Sequence, residues 1–334
     1  MDRRPERPDG GLTVEHSFLT VANGDIDLEV AVAGEGPLIL CIHGWPELWY
    51  SWRHQMAHFS ERGFRVAAMN VRGYGGSSAP TDIASYTLRE LASDAAAVID
   101  TLGDGQAIVW GHDWGAPIAW NTARLHPDKV SAVAGLSVPY RPVGEVSSLE
   151  LWKALYTDQG RFFYQMYFQE PGVAEAELGA DTLRSIRMIY YGAAGDSHGT
   201  GLVAEKPADA TMLEGMIDPD PFPAWCTAED LQVYADGIDQ NGWHGLLNRY
   251  RAQTLDAEQL GTLPDPNLTQ PAAFIGGEFD PVRVFVEGID VFGMAGDHCE
   301  DFRGTTLIDG AGHWVQQEKP EATNAALAAF LEGL

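Results

Sequence analysis

A short apolar run, Ala107 to Trp110, leads directly into Gly111-His112-Asp113-Trp114-Gly115, and a segment with helical spacing, Ala116 to Leu125, follows until Pro127 stops it. Glycines two before and two after a central residue let a chain turn sharply from strand to helix, which lifts the central side chain above the end of a sheet. The pattern predicts a strand, a strained turn and a helix, with Asp113 presented at the turn. Capping the helix is a plainer role open to any Asp at such a position. The flanking glycines and the apolar strand in front favour the strained turn.

Around this segment, short runs rich in Val, Ile and Ala alternate with helical stretches, the signature of βαβ units on a mostly parallel sheet. Leu12 to Val21 and Ile26 to Ala33 flank Asn23-Gly24-Asp25 as a hairpin. Leu38 to Ile42, Arg65 to Val71 and Val130 to Val138 are expected strands, and Tyr86 to Leu102 an expected helix. After Pro142 the strand signal fades and aromatic, Gly and Pro residues mix with patches of helical spacing until about Leu260. Strand patterns return at Ala272 to Ile275 and Thr305 to Ile308, and Glu321 to Leu334 closes as a helix. The expected fold class is α/β, a mostly parallel sheet flanked by helices. Residues 1–141 and 261–334 would form the core around a helical cap at 142–260, a plan that 334 residues accommodate.

The formal net charge of −27 has the wrong sign for neutralising phosphates or gripping an anionic membrane, so no nucleic-acid partner is expected. No stretch sustains the roughly 18 apolar residues of a membrane span, and the first residues, Met1 to Gly11, carry positive charge with no apolar run behind them. Cys41, Cys226 and Cys299 make no CxxC pair and no metal-ligand spacing, which suits a reducing compartment. These features predict a cytoplasmic protein with a frayed N-terminus and no membrane insertion.

An Asp at the turn defines the chemistry. Ionised at neutral pH, it can attack an electrophilic sp³ carbon without help and form an alkyl ester. That ester needs an activated water for its hydrolysis, and hence a His. His313, in Gly310-Ala311-Gly312-His313-Trp314 after the last strand, is placed in the chain for that task, and Asp280, after the preceding strand, could orient it. Nucleophile, acid and histidine then occur in a recurrent catalytic chain order. Backbone N–H groups of Trp114 and of Trp45, in His43-Gly44-Trp45-Pro46-Glu47, could hold an oxyanion. Arg72-Gly73-Tyr74-Gly75-Gly76-Ser77 lacks the Lys-Ser/Thr of a phosphate loop and reads as a tight turn. Asp297, His298, Glu300 and Asp301 are expected in a solvated loop, with no metal.

His43 to Glu47, Arg72 to Gly75, Gly111 to Gly115, Asp280 and Gly312-His313-Trp314 together resemble the soluble epoxide hydrolases of the α/β-hydrolase fold, over essentially the whole chain. The resemblance implies an inserted helical cap and the addition of water to a small hydrophobic epoxide to give a vicinal diol, without cofactor or metal. It also implies two cap tyrosines as proton donors to the opening ring. Tyr164, in Phe163 to Gly172, and Tyr250, in Leu247 to Arg251, are the matching positions. The elbow Asp is shared with haloalkane dehalogenases, in which Trp114 would give its indole N–H to the halide. A non-catalytic receptor for a small hydrophobic molecule is the alternative outside enzymes. Phe162, Phe163, Met166 and Phe168 could line an apolar tunnel or pack a cap helix onto the core. Monomer and homo-oligomer both remain open.

Overall fold

Leu38–Ile42 is apolar at every position and buried at every position, as a strand covered on both faces by helices must be. Among the described residues it is the third of eight strands: β1 (Ser17–Asn23), β2 (Ile26–Ala33), β3 (Leu38–Ile42), β4 (Arg65–Met69), β5 (Ala107–His112), β6 (Val130–Leu136), β7 (Leu268–Gly277) and β8 (Cys299–Ile308). The computed structural model describes residues 14–198, 201 and 205–334. The strands form one sheet in the order β1-β2-β4-β3-β5-β6-β7-β8. The β1–β2 and β2–β4 pairs are antiparallel and the others parallel.

The hairpin is present, turning at Gly24 with φ +60° and pairing Asn23 with Ile26. Its first strand begins at Ser17, later than expected; Leu12 and Thr13 lie outside the described residues, as does the segment expected to fray. α1 (Arg53–Ser60) was given no element by the sequence pattern. Its buried side includes Arg53 and Gln55 as well as Met56 and Phe59, which blurs an apolar stripe. Both polar residues find internal acceptors: Arg53 donates to Gln317 at 2.7 Å and the Gln55 amide N–H to Asn324 at 2.9 Å. α2 (Leu88–Leu102) starts after Thr87, whose hydroxyl caps it, while Tyr86 ends a separate 3₁₀ turn. α3 (Gly115–Leu125) follows β5 directly.

Among the described residues seven α-helices lie between β6 and β7: α4 (Ser148–Leu155), α5 (Tyr164–Tyr167), α6 (Val173–Leu178), α7 (Thr182–Ala193), α8 (Ala228–Asp239), α9 (His244–Arg251) and α10 (Gln253–Leu260). Among the described residues this insertion adds no strand to the sheet; an isolated bridge joins Arg161 and Pro207. Polar contacts fix it to the core. Tyr50 donates to Asp230 of α8 at 2.6 Å, and Asp256 of α10 accepts from Leu88 N at 2.6 Å and from Arg249.

β8 extends well upstream of the expected Thr305. Its first half is polar because it is the edge strand and faces solvent. Glu300 and Asp301 therefore sit in a strand rather than a loop, and Asp301 pairs with Arg303 at 2.6 Å. The chain ends in α11 (Val315–Glu318) and α12 (Pro320–Glu332).

The turn after β4 is tied to α2 by a buried pair: Arg72 Nε and Nη2 donate to the two carboxylate oxygens of Asp94, each at 2.6 Å. Removing one partner of such a pair leaves an uncompensated charge in the interior. Asp94→Ala should therefore lower the unfolding free energy by about 3–5 kcal/mol, read as a shift of the urea midpoint. A midpoint within error of the wild type would show that Arg72 finds solvent in the native state.

Candidate active site

Asp113 follows β5 at φ +50°, in the left-handed region that only a few per cent of non-glycine residues adopt. The glycines on either side make this possible. A Cβ at Gly111 would lie 2.0 Å from Gly115 O, and one at Gly115 would lie 2.0 Å from Ile42 O, so neither position admits a side chain. Strand and helix thus meet backbone to backbone, and Asp113 stands at the sharp turn the sequence predicts.

Three more chain segments converge on it from the carboxyl ends of parallel strands, where open α/β sheets place their sites. Past β3, the N–H of Trp45 donates to Asp113 Oδ1 at 2.7 Å. Past β8, His313 Nε2 lies 3.3 Å from Asp113 Oδ2. Past β7, Asp280 brings both carboxylate oxygens to 3.1 Å from His313 Nδ1. Asp113, Asp280 and His313 are all buried. Burial opposes a charge on the imidazole, but Asp280 and Asp113 overcome it and hold His313 well above the usual histidine range.

A second layer of polar groups, which no motif in the sequence marks, fixes this arrangement. His112 places Nδ1 2.6 Å from Glu47 Oε2 and Nε2 2.7 Å from the His313 carbonyl, which also accepts from Ser137 at 2.7 Å. Glu47, fully buried, accepts in addition from Gly44 N, Gln316 and Gln317. Nothing in the spacing of these residues announces the network; its only signal would have been that polar side chains fall where the fold is interior.

Burial alone would raise the carboxyl of Glu47, but His112 outweighs it and holds Glu47 down to about 2 from an ordinary 4.5. An unfolded Glu takes its proton near 4.5 and this one only near 2. Its stabilisation is complete above 4.5 and is lost as the pH falls through 2. Thermal melts of wild type and Glu47→Gln should therefore differ most above pH 4.5, with the wild type higher, and converge toward pH 2. A constant difference across that window would contradict the assignment.

Tyr164 and Tyr250 sit across from this group. With Trp45, Asp113 and His313 they line one small cavity, and their rings meet edge to face with centroids 5.8 Å apart. Gln165 donates to the Tyr164 oxygen at 3.1 Å. Burial, reinforced by neighbouring negative charge, keeps both phenols protonated far above the usual tyrosine range. Trp114 is the N-cap residue immediately before α3, where a backbone N–H has no intrahelical partner. Its indole lies edge-on to Tyr250 at 5.4 Å with the Arg249 guanidinium stacked over it at 4.6 Å.

Asp113 and Tyr164 also face a larger cavity of about 630 Å³, walled chiefly by apolar residues such as Trp120, Val138, Leu151, Trp152, Phe285 and Met294. Phe162, Phe163, Met166 and Phe168 are not among its walls. Phe168 packs instead on Trp45 and Tyr250, and Phe163 stacks on Tyr156. The segment 72–77 is the expected tight turn, closed by Gly73 N to Ser78 O at 2.9 Å. Among the described residues no cluster of three or more His, Cys, Asp or Glu is arranged to hold a metal, and no helix is long and apolar enough to cross a membrane.

A family model described as alpha/beta hydrolase fold matches residues 37–188. The chain is 38% identical over 323 residues, 95% of its own length and 97% of the relative's, to a protein named epoxide hydrolase A from Mycobacterium tuberculosis (strain ATCC 25618 / H37Rv). It belongs to the epoxide hydrolase family of the α/β-hydrolase fold. Solved epoxide hydrolases superpose on it closely. The epoxide hydrolase A of Mycobacterium thermoresistibile gives a TM-score of 0.87 at 40% identity, covering 96% of this chain and 99% of that one. An epoxide hydrolase from an endophytic Streptomyces gives 0.88 at 36%, covering 98% and 96%. The elbow, the two tyrosines and the apolar cavity are thus set in an epoxide hydrolase frame.

Proposed function

We propose that this epoxide hydrolase adds water to a hydrophobic epoxide in two steps, giving a vicinal diol through an ester on Asp113. The observation that carries the reading is one carboxylate held between the Trp45 N–H and His313, facing two paired phenols across a shared cavity. Residues 142–260 act as the cap that closes this cavity over the core. The free cysteines of the chain, Cys41, Cys226 and Cys299, suit a reducing compartment such as the cytoplasm.

In the first step Asp113 Oδ2 attacks a ring carbon, the carbon–oxygen bond of the ring breaks, and the oxygen takes a proton from Tyr164 or Tyr250. Oδ1, already held by Trp45, becomes the ester carbonyl. Alkylation removes the charge of Asp113, one of the two carboxylates that keep His313 protonated. His313 then releases its proton to restore the phenol and becomes a base, oriented by Asp280. In the second step it takes a proton from water while the hydroxide adds to the Asp113 carbonyl carbon. The N–H groups of Trp45 and Trp114 hold the oxyanion. The bond from that carbon to Oδ2 breaks, the departing oxygen is protonated by the new carboxylic acid, and diol leaves with Asp113 and His313 charged as before. The scheme needs no cofactor and no metal.

The dehalogenase alternative would leave the phenols idle and direct the Trp114 indole at a halide; here that indole is set against Tyr250. Single turnover in ¹⁸O-labelled water tests the ester. The first diol should carry the unlabelled Asp113 oxygen, with label entering the protein at residue 113. Full label in the first diol would mean direct attack by water and would remove the covalent route.

A further inference from the structure

His313 sits on a short loop between β8 and α11, and a side chain outside the reacting set grips that loop on both sides of it. Glu318, nine-tenths buried, accepts three backbone N–H groups: Gly312 N at 2.9 Å, Trp314 N at 2.9 Å and Gly195 N at 2.8 Å. Gly312 and Trp314 flank His313. Gly195 belongs to the helical insertion, just past α7. One carboxylate therefore joins the histidine loop of the core to the insertion.

The joint is tight. A Cβ on Gly312 would come within 2.3 Å of Gly195 N, and one on Gly195 within 2.4 Å of Gly310 O. His313 N itself donates to Ala193 O at 2.9 Å. Two peptide segments at this distance leave N–H groups that only a compact acceptor with several lone pairs can satisfy together, and a carboxylate is such an acceptor.

We propose that Glu318 is a positioning residue for the ester-hydrolysis step, fixing the His313 imidazole by clamping its loop to the insertion at Gly195. The proposal rests on the two-step reading given above. Glu318 touches no reacting atom and acts through the backbone on either side of His313. Alkylation, which needs only Asp113 and the phenols, is indifferent to it. Hydrolysis requires the imidazole to hold both a water and Asp280, so it depends on the loop. Burial raises Glu318 to about 7, with Asp196 adding to the effect and the three N–H donors opposing it. The charged group that acts on it is Asp196 of the insertion, and measurements at pH 8 lie above the titration of Glu318.

Wild type, His313→Gln and Glu318→Gln are mixed with a styrene-type epoxide at pH 8, and the enzyme–substrate adduct is followed by rapid quench and intact-protein mass. Glu318→Gln should form adduct within about twofold of the wild-type rate and lose it on the order of 10- to 100-fold more slowly per adduct, the scale of a small misplacement of a catalytic group. Adduct that decays at the wild-type rate overturns the role, even if the variant melts earlier or fewer molecules react, because that pattern is purely structural. Should Glu318→Gln fail to fold by circular dichroism, Glu318→Asp keeps the charge, shortens the reach by one methylene and carries the same expectation. If neither wild type nor His313→Gln shows adduct, the two-step reading falls and this role with it. Adduct in both, with unaltered decay in the Glu318 variant, removes this role alone.

Discussion

His313→Gln should open one equivalent of epoxide and then stop. Asp113 is already a carboxylate and its attack on the ring needs no base, so the variant should alkylate. Ester hydrolysis needs the imidazole to take a proton from water, and Gln cannot. Loss of a general base costs about 10² to 10⁴ in rate, all of it expected in the second step. Adduct should then accumulate to nearly one per active site, visible as a mass increase equal to that of the epoxide. Asp280→Asn should slow the same step less, since the imidazole remains but loses the carboxylate that holds Nδ1 through two 3.1 Å contacts. Steady turnover of His313→Gln at the wild-type rate would strip His313 of its part.

The paired phenols make the second large prediction. If Tyr164 and Tyr250 both hydrogen-bond the ring oxygen, Phe at either position should slow alkylation and leave the decay of preformed ester unchanged. Each phenol can cover for the other because the two share one small cavity with Asp113. Single variants should therefore lose toward the low end of the roughly 10² to 10⁴ that general acids supply, and the double variant far more. Both rings are buried, and Phe keeps their volume, so folding should survive. A double variant that opens epoxides at the wild-type rate would make these packing residues, and undiminished halide release from a haloalkane would bring back the dehalogenase alternative.

The elbow was legible in the chain because it is local: two glycines and an apolar strand specify a turn within a few residues. The hairpin and β3 were legible for the same reason. Asp280 and His313 could be placed only by their position after strands, and Tyr164 and Tyr250 only through family resemblance, since a tyrosine in a helix carries no spacing that marks it as a donor. α1 was missed because polar Arg53 and Gln55 occupy its buried side. The walls of the larger cavity were missed because they come from segments around 138–152 and 282–294, far apart in sequence. The aromatic run at 162–168 has the composition of a tunnel lining, but Phe163 and Phe168 pack on neighbouring rings.

The insertion sits between the strand that leads to Asp113 and the strands that lead to Asp280 and His313, so Asp113 and His313 meet across 200 positions of chain. During synthesis the elbow emerges with its own part of the sheet long before His313 exists. Under the two-step mechanism we propose, an incomplete chain that lacks residues beyond β8 would hold a bare carboxylate with nothing to clear an ester from it. Long-range closure of this kind folds slowly, and for this protein it also means that the first fully competent site appears only when nearly all of the chain is free to dock.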